Sequence, residues 1–312
     1  MFGGATATHA QDDGQVPSAA CCVQLLAAIG ARALALGDAV VARTGPGSLF
    51  GNPAALADVE DDQFVVHTST TAAARSNTFS LLIHSEIVGT IGVSYLLVDL
   101  GEIQATDAQG NVTGEIGLLE HALTATYATR VGRGLRAGLS YQLFQRRQDC
   151  RGFCNVESYA ATTHLVDAGL QYTPAFLSRL ELGASLLHLG FPLQVKNAPQ
   201  AAPTPTRLRL GAAHEVLQHV QPDSALQVWL SADLITAVGD LGDATLNVGA
   251  EMSLDDRFFV WLGYGSGAGV LGGPALGVGL ELDRFSVGVA RSFVSSPIEG
   301  SDPFQVTFGI RF

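Results

Sequence analysis

Phe304-Gln305-Val306-Thr307-Phe308-Gly309-Ile310-Arg311-Phe312 is the stretch whose reading decides the fold. Side chains alternate across an extended strand, so Phe304, Val306, Phe308, Ile310 and Phe312 share one face. Gln305, Thr307, Gly309 and Arg311 share the other. An aromatic-rich apolar face backed by a polar one suits a wall with lipid outside and water or packed polar groups within. An edge strand of a soluble sandwich would read the same way in isolation.

The same alternation recurs from about residue 63 onward. Leu226, Val228, Leu230, Ala232 and Leu234 oppose Gln227, Trp229, Ser231 and Asp233. Leu135, Ala137, Leu139, Tyr141 and Leu143 oppose Arg136, Gly138, Ser140 and Gln142. The pattern predicts fourteen strands, near 63–69, 78–84, 89–98, 118–130, 135–145, 160–172, 180–189, 206–216, 226–235, 244–253, 258–264, 275–282, 285–293 and 304–312. The first, second and eleventh are short for a membrane strand of about 9–11 residues, which leaves twelve as an alternative. Short turns at 131–134, 255–257 and 283–284 alternate with longer connections at 99–117, 146–159, 190–205 and 294–303. Turns sorted in this way fit an all-β, up-and-down antiparallel transmembrane barrel in a bacterial outer membrane.

Composition agrees. Hydrophobic residues are 47% of the chain, yet no run approaches the about 18 apolar residues of a membrane helix. The apolar content is spread through strands instead. A net charge of −12 with a single lysine, Lys196, argues against nucleic acid, which needs clustered cations. The partner that a barrel of this kind itself implies is outer-membrane lipid.

Residues 1–22 read as a leader remnant or tail, since Ala-Thr-His-Ala before Gln11 has the small-residue look of a secretory cleavage site. Residues 23–60 lack strand alternation, are rich in Ala and Leu, and read as a short helical or compact plug segment. Residues 61–312 form the barrel. Cys150 and Cys154, in a polar stretch, suit a small loop disulfide better than zinc. Cys21 and Cys22 are adjacent, and their state is open.

Gly30-Ala31-Arg32-Ala33-Leu34-Ala35-Leu36-Gly37-Asp38-Ala39 followed by Asn52-Pro53-Ala54 resembles the start of the PorV/PorQ group of outer-membrane proteins, itself similar to FadL-like barrels. Leu36 stands where that group usually has Met. The motif covers roughly a tenth of the chain. The resemblance implies a fourteen-stranded barrel with an N-terminal plug. It also implies either a partner-binding accessory role with secretion-machinery proteins in type IX secretion or passage of hydrophobic small molecules. Chain length favours the accessory role. A polar, plugged lumen with an apolar exposed loop patch would support partner binding; a continuous apolar path from the outer loops to a break in the wall would support transport.

Arg136, Glu181, Glu251, Glu281 and Arg311 fall on the polar face near the short-turn ends of their strands. Charges in a narrow lumen persist when paired, so these are expected to pair with one another and with Arg32 and Asp38. Asn52 and Pro53 are expected to shape a turn, because proline restricts the preceding residue to extended geometry. Gly92, Gly138, Gly169, Gly183, Gly211, Gly249, Gly277 and Gly279 share the polar face and imply a crowded lumen. The aromatics Tyr127, Tyr141, Phe144, Tyr159, Tyr172, Phe191, Phe258, Tyr264, Phe285, Phe293 and Phe304 are expected in a belt at the headgroups. No histidine pair has metal-ligand spacing, and no nucleophile or phosphate-loop motif stands in a credible context, so neither enzyme chemistry nor a cofactor is expected.

Overall fold

The computed structural model describes residues 20–71, 74–196, 200–221, 224–266, 272–293 and 302–312. Its strands are β1 Gln63–Thr70, β2 Arg75–Ser85, β3 Gly89–Thr106, β4 Val112–Gly132, β5 Leu135–Gly152, β6 Tyr159–Tyr172 and β7 Leu180–Gly190. They continue as β8 Arg207–Gln221, β9 Ser224–Ala237, β10 Asp240–Leu254, β11 Phe258–Gly265, β12 Gly273–Leu282, β13 Phe285–Ser292 and β14 Phe304–Arg311. Each pairs antiparallel with the next, and β14 returns to β1 from Gln63↔Arg311 to Thr70↔Phe304. The sheet is a closed barrel of fourteen strands. Closure pairs the first strand with the last and leaves no edge strand facing lipid, the condition for a sheet to cross it.

The alternation points as the pattern requires. Phe304 and Phe308 are each 43% exposed, whereas Gln305 between them is 4% exposed. Leu230 and Leu234 face outward while Ser231 and Asp233 are buried. A soluble sandwich would bury the aliphatic face. Here the aliphatic skin is outside and serine, threonine, glutamine and carboxylates are inside, the inversion that a lipid solvent selects. The aromatic belt needs one correction: Phe144 is 1% exposed and Tyr159 packs with it, so both point inward.

The wall is uneven. β1, β11, β13 and β14 have 8 residues each, and β4 has 21. Residues 99–117 and 146–159, expected as loops, are largely sheet. β3 and β4 stay paired as far as Thr106↔Val112, and β4 and β5 as far as Gly114↔Gly152. The ribbon ends in a turn where Asp107 accepts hydrogen bonds from the Asn111 side chain and from the amides of Gln109 and Asn111. Those donors, Asn111 first, hold its carboxyl below the usual range. Cys150 and Cys154 are joined by a disulfide beside this ribbon.

The short turns and Phe312 lie at one end, called here the terminus end; the long connections lie at the loop end. Residues 20–29 sit inside the loop end, where Cys21 N donates to the carbonyl of Pro203 at 2.8 Å. The chain then crosses the lumen and leaves at the terminus end to begin β1. Its regular structure is a five-residue helix, α1 Ala31–Ala35, and three 3-10 turns at Val23–Leu26, Pro46–Ser48 and Pro53–Asp58. Cys21 and Cys22 are buried and disulfide-bonded, so the expected tail boundary at residue 22 is too late; the remainder of that expectation, residues 1–19, lies outside the described residues. Residues 294–301, within the long connection expected at 294–303, also lie outside them.

Candidate functional site: a lumen divided by the N-terminal segment

A segment with little regular structure leaves many backbone groups without intrachain partners, and burial makes each of them costly. Inward side chains of the wall supply the partners. Asp233 Oδ2 accepts from Val40 N at 2.8 Å and Val41 N at 2.9 Å. Gln171 Nε2 donates to the carbonyls of Val41 and Arg43, both at 2.9 Å. Gln305 accepts from Gly30 N and donates to Ala28 O, both at 2.7 Å. Asn52 works from the segment outward: its Nδ2 donates to Val41 O at 2.8 Å and Leu170 O at 3.0 Å, while its Oδ1 accepts from Ala54 N. Asn52 is extended (φ −159°) and Pro53 opens the following 3-10 turn, with Ala54 fully buried in it.

Small residues let the segment touch the wall. A Cβ at Gly138 would run into the backbone of Pro53 and Ala54. Gly169, Gly183, Gly211, Gly249 and Gly277 also face the segment, whereas the space at Gly279 is held by the Trp261 ring and that at Gly92 by Leu82 and Leu56.

The terminus half of the lumen is ionic. Arg32, on α1, holds Glu251 through Nε–Oε2 at 2.5 Å and Nη2–Oε1 at 3.1 Å. Arg43 reaches Glu251 Oε1 at 2.8 Å and Glu181 Oε2 at 3.4 Å, and its guanidinium lies 4.1 Å from the Trp229 ring centroid. Trp261 Nε1 donates to Glu251 at 2.9 Å. Arg136 bonds Asp58 at 2.6 Å and approaches Glu181 at 4.0 Å.

The expected grouping is thus divided. Arg32, Arg136, Glu181 and Glu251 come together. Glu281 and Arg311 pair with each other at 3.3 Å; Glu281 borders the same cavity as Arg32 and Glu251 without an ion pair to either. Asp38 pairs with none of the five; it faces Arg209 at 3.1 Å, which also approaches Asp233 at 3.4 Å. The reason is local. Gly37 and Asp38 are both left-handed, with φ of 62° and 66°, and this turn aims Asp38 away from α1. Sequence reasoning missed Arg43, Asp58, Arg209 and Asp233, although Asp233 stood on the polar face of its strand.

The loop half combines an apolar cluster with a buried ion pair, Glu120 to Arg146 at 2.5 Å, and a buried Asp167–His188 contact at 3.6 Å. Leu96, Val98, Ala122, Phe144, Ala161 and Leu165 point inward and pack with Cys21, Cys22 and Leu193 in one buried cluster. Beside it lies a cavity of about 340 Å3. Leu25, Leu26, Ile29, Phe50, Leu187 and Ile235 form its apolar wall, and Asp38, His188, Arg207, Arg209 and Asn247 its polar margin. The volume falls within the range of small-molecule sites, about 300–1,000 Å3. A second cavity of about 230 Å3 lies toward the terminus end, among Arg32, His67, Glu251, Phe259, Trp261 and Glu281. Gly47 borders both, so α1 and the 46–48 turn form the partition.

These features define a membrane-spanning β-barrel whose lumen is partitioned by its own N-terminal segment. The fold is that of FadL-like barrels. The Pseudomonas putida toluene transporter TodX is 13% identical, with a TM-score of 0.57 over 90% of this chain and 96% of that one. The CymD monoaromatic hydrocarbon channel is 14% identical, with a TM-score of 0.58 over 94% of this chain and 99% of that one. A Pseudomonas aeruginosa FadL homologue is 11% identical, with a TM-score of 0.51 over 91% and 98%. At such identities the likeness is one of fold. No protein-family model matches the chain, and a search of curated proteins returns no match. The PorV/PorQ kind and type IX secretion receive no support from these comparisons.

Proposed function

We propose that this chain is a channel of the bacterial outer membrane for small hydrophobic molecules, with its terminus end in the periplasm. The observation that carries the reading is the cavity in the loop half, whose apolar wall lies between the N-terminal segment and the barrel. A partner-binding barrel has no need of such a space at the outward end. The toluene and monoaromatic channels that share the fold favour this reading over the accessory role. β7 and β8 pair only as far as Leu187↔Arg207, and Leu187, His188 and Arg207 all border the cavity, so the sheet ends where the cavity meets the wall. The ionic terminus half then acts as the structural floor that holds the segment in place.

The test is accumulation of radiolabelled toluene by Gram-negative cells carrying the protein. Cells with the wild type should take up the probe faster than cells with an empty vector. The double variant Ile29→Asp, Leu187→Asp, correctly inserted as judged by gel mobility, should lose most of that gain. Equal rates for wild type and empty vector would refute the reading.

A further inference from the structure

We propose that the outward surface of β1–β6 near the loop end binds the headgroup phosphate of a phosphorylated membrane lipid. Outward positions on a lipid-facing wall are apolar until the strands reach the headgroups. On β3–β6, Val93, Leu123, Leu139 and Val166 follow this and are exposed. Nearer the loop end the outward row changes. Register aligns Asn77, Leu97, His121, Gln145 and Thr162 across β2–β6. Thr68 extends this row onto β1. One row further, register aligns Arg75, Asp99, Leu119 and Arg147. The apolar band ends at these rows, which places them at the depth of the headgroups.

The polar atoms at this boundary are sorted. Tyr95 Oη lies 2.6 Å from His121 Nδ1, and Tyr141 Oη lies 2.5 Å from His164 Nδ1, the same contact repeated two strands on. Neither hydroxyl has another acceptor among the described residues, so each donates to its Nδ1. An imidazole that accepts at Nδ1 carries its proton on Nε2. Neither Nε2 has a partner among the described residues, so two ring N–H donors are left over on the outer wall. Thr68 donates to Asn77 Oδ1 at 3.1 Å, which leaves the Asn77 amide N–H groups. Asp99 accepts from Gly101 N at 2.9 Å, and Arg147 pairs with Asp149 at 2.7 Å. Arg75 is exposed and has no ion pair among the described residues.

Acceptors are thus occupied while donors remain. Such a surface is complementary to a group that only accepts, and charged phosphate oxygens form the strongest hydrogen bonds of that kind. The occupant is a lipid because these side chains stand on the outside of the wall, neither in the lumen nor on a loop. An aromatic belt alone does not account for them. The opposite side of the barrel marks its loop end with Tyr264, Phe293 and Phe304, all exposed, and β11–β14 contain no histidine.

The test is native mass spectrometry of the full chain in detergent, titrated with phosphorylated lipid A and with its dephosphorylated form, which keeps the ester carbonyls. The wild type should retain the phosphorylated lipid about tenfold more tightly. The double variant His121→Phe, His164→Phe keeps an aromatic ring at each site, removes both donors, and should bring the two lipids close to parity. Arg75→Gln should weaken the preference. His214→Phe, an exposed histidine at the terminus end, should leave it unchanged. Equal retention of both lipids by the wild type, an undiminished preference in the double variant, or an equal loss in His214→Phe would overturn the proposal. Heat-modifiable gel mobility establishes that each variant is folded. Retention in detergent does not depend on hydrocarbon passage, so failure here leaves the channel reading standing.

Discussion

The two halves of the lumen hold the same segment by different physics. In the terminus half, Glu251 is locked between two arginines and a tryptophan N–H. In the loop half, Phe144, Leu96 and Leu165 pack on Cys21 and Cys22, and the charges beside them, Glu120 and Arg146, are paired within the wall and make no ion pair with the segment. Directional bonds fix a segment in one position. A packed apolar surface can admit another apolar molecule at modest cost, because nothing in it must find a new hydrogen-bond partner. The contrast teaches where movement or binding is affordable: above the partition, not below it.

Substitutions can break the contrast, beginning with the largest expected effect. Glu251→Ala strands two buried arginines, and removing one partner of a buried pair costs about 3–5 kcal/mol. The temperature of the gel-mobility shift should fall sharply, and Arg32 and Arg43 should become accessible to arginine-directed reagents. Gly138→Ala forces the Pro53–Ala54 backbone off the wall; overpacking of this kind costs about 1–3 kcal/mol. Protease should then cleave within 44–58, which the wild type protects. Phe144→Leu, an apolar exchange in the loop half, should cost under about 1.5 kcal/mol and leave segment protection intact while changing hydrocarbon uptake. Arg130→Ala removes an exposed partner of Asp58 and Glu60 and should shift stability by less than about 1 kcal/mol. If Glu251→Ala proves as mild as Arg130→Ala, the ionic floor is not what holds the segment.

The wall was legible in the sequence because a lipid-facing strand alternates without exception over most of its length, as in 304–312. The strand ends were less so. Residues 99–106 and 112–117 carry Gly101, Glu102, Gly114 and Gly117 and read as loop; only their pairing with each other, outside the lipid, makes them sheet. Phe144 misled for a related reason. Alternation from Arg136 to Gln142 puts it on the lumen face, but near the loop end that face carries apolar residues among its polar ones, and an aromatic there reads as part of a belt. The run Tyr95-Leu96-Leu97-Val98 shows this in the sequence. The charge partners were legible only as residues that required partners. Arg136, Glu181 and Glu251 sat on a face of glycines and serines, where a charge demands an opposite one. Arg43 lies in a stretch with no periodicity, and the aim of Asp38 depends on two left-handed residues that no pattern announces.

The most direct test is amide hydrogen exchange of the purified barrel with and without toluene at saturation. This account predicts slower exchange at residues 25–29, 187–188 and 235–237, which border the loop-half cavity, and no change at 44–46 or 279–288. Protection confined to the latter group, or none anywhere, would contradict it.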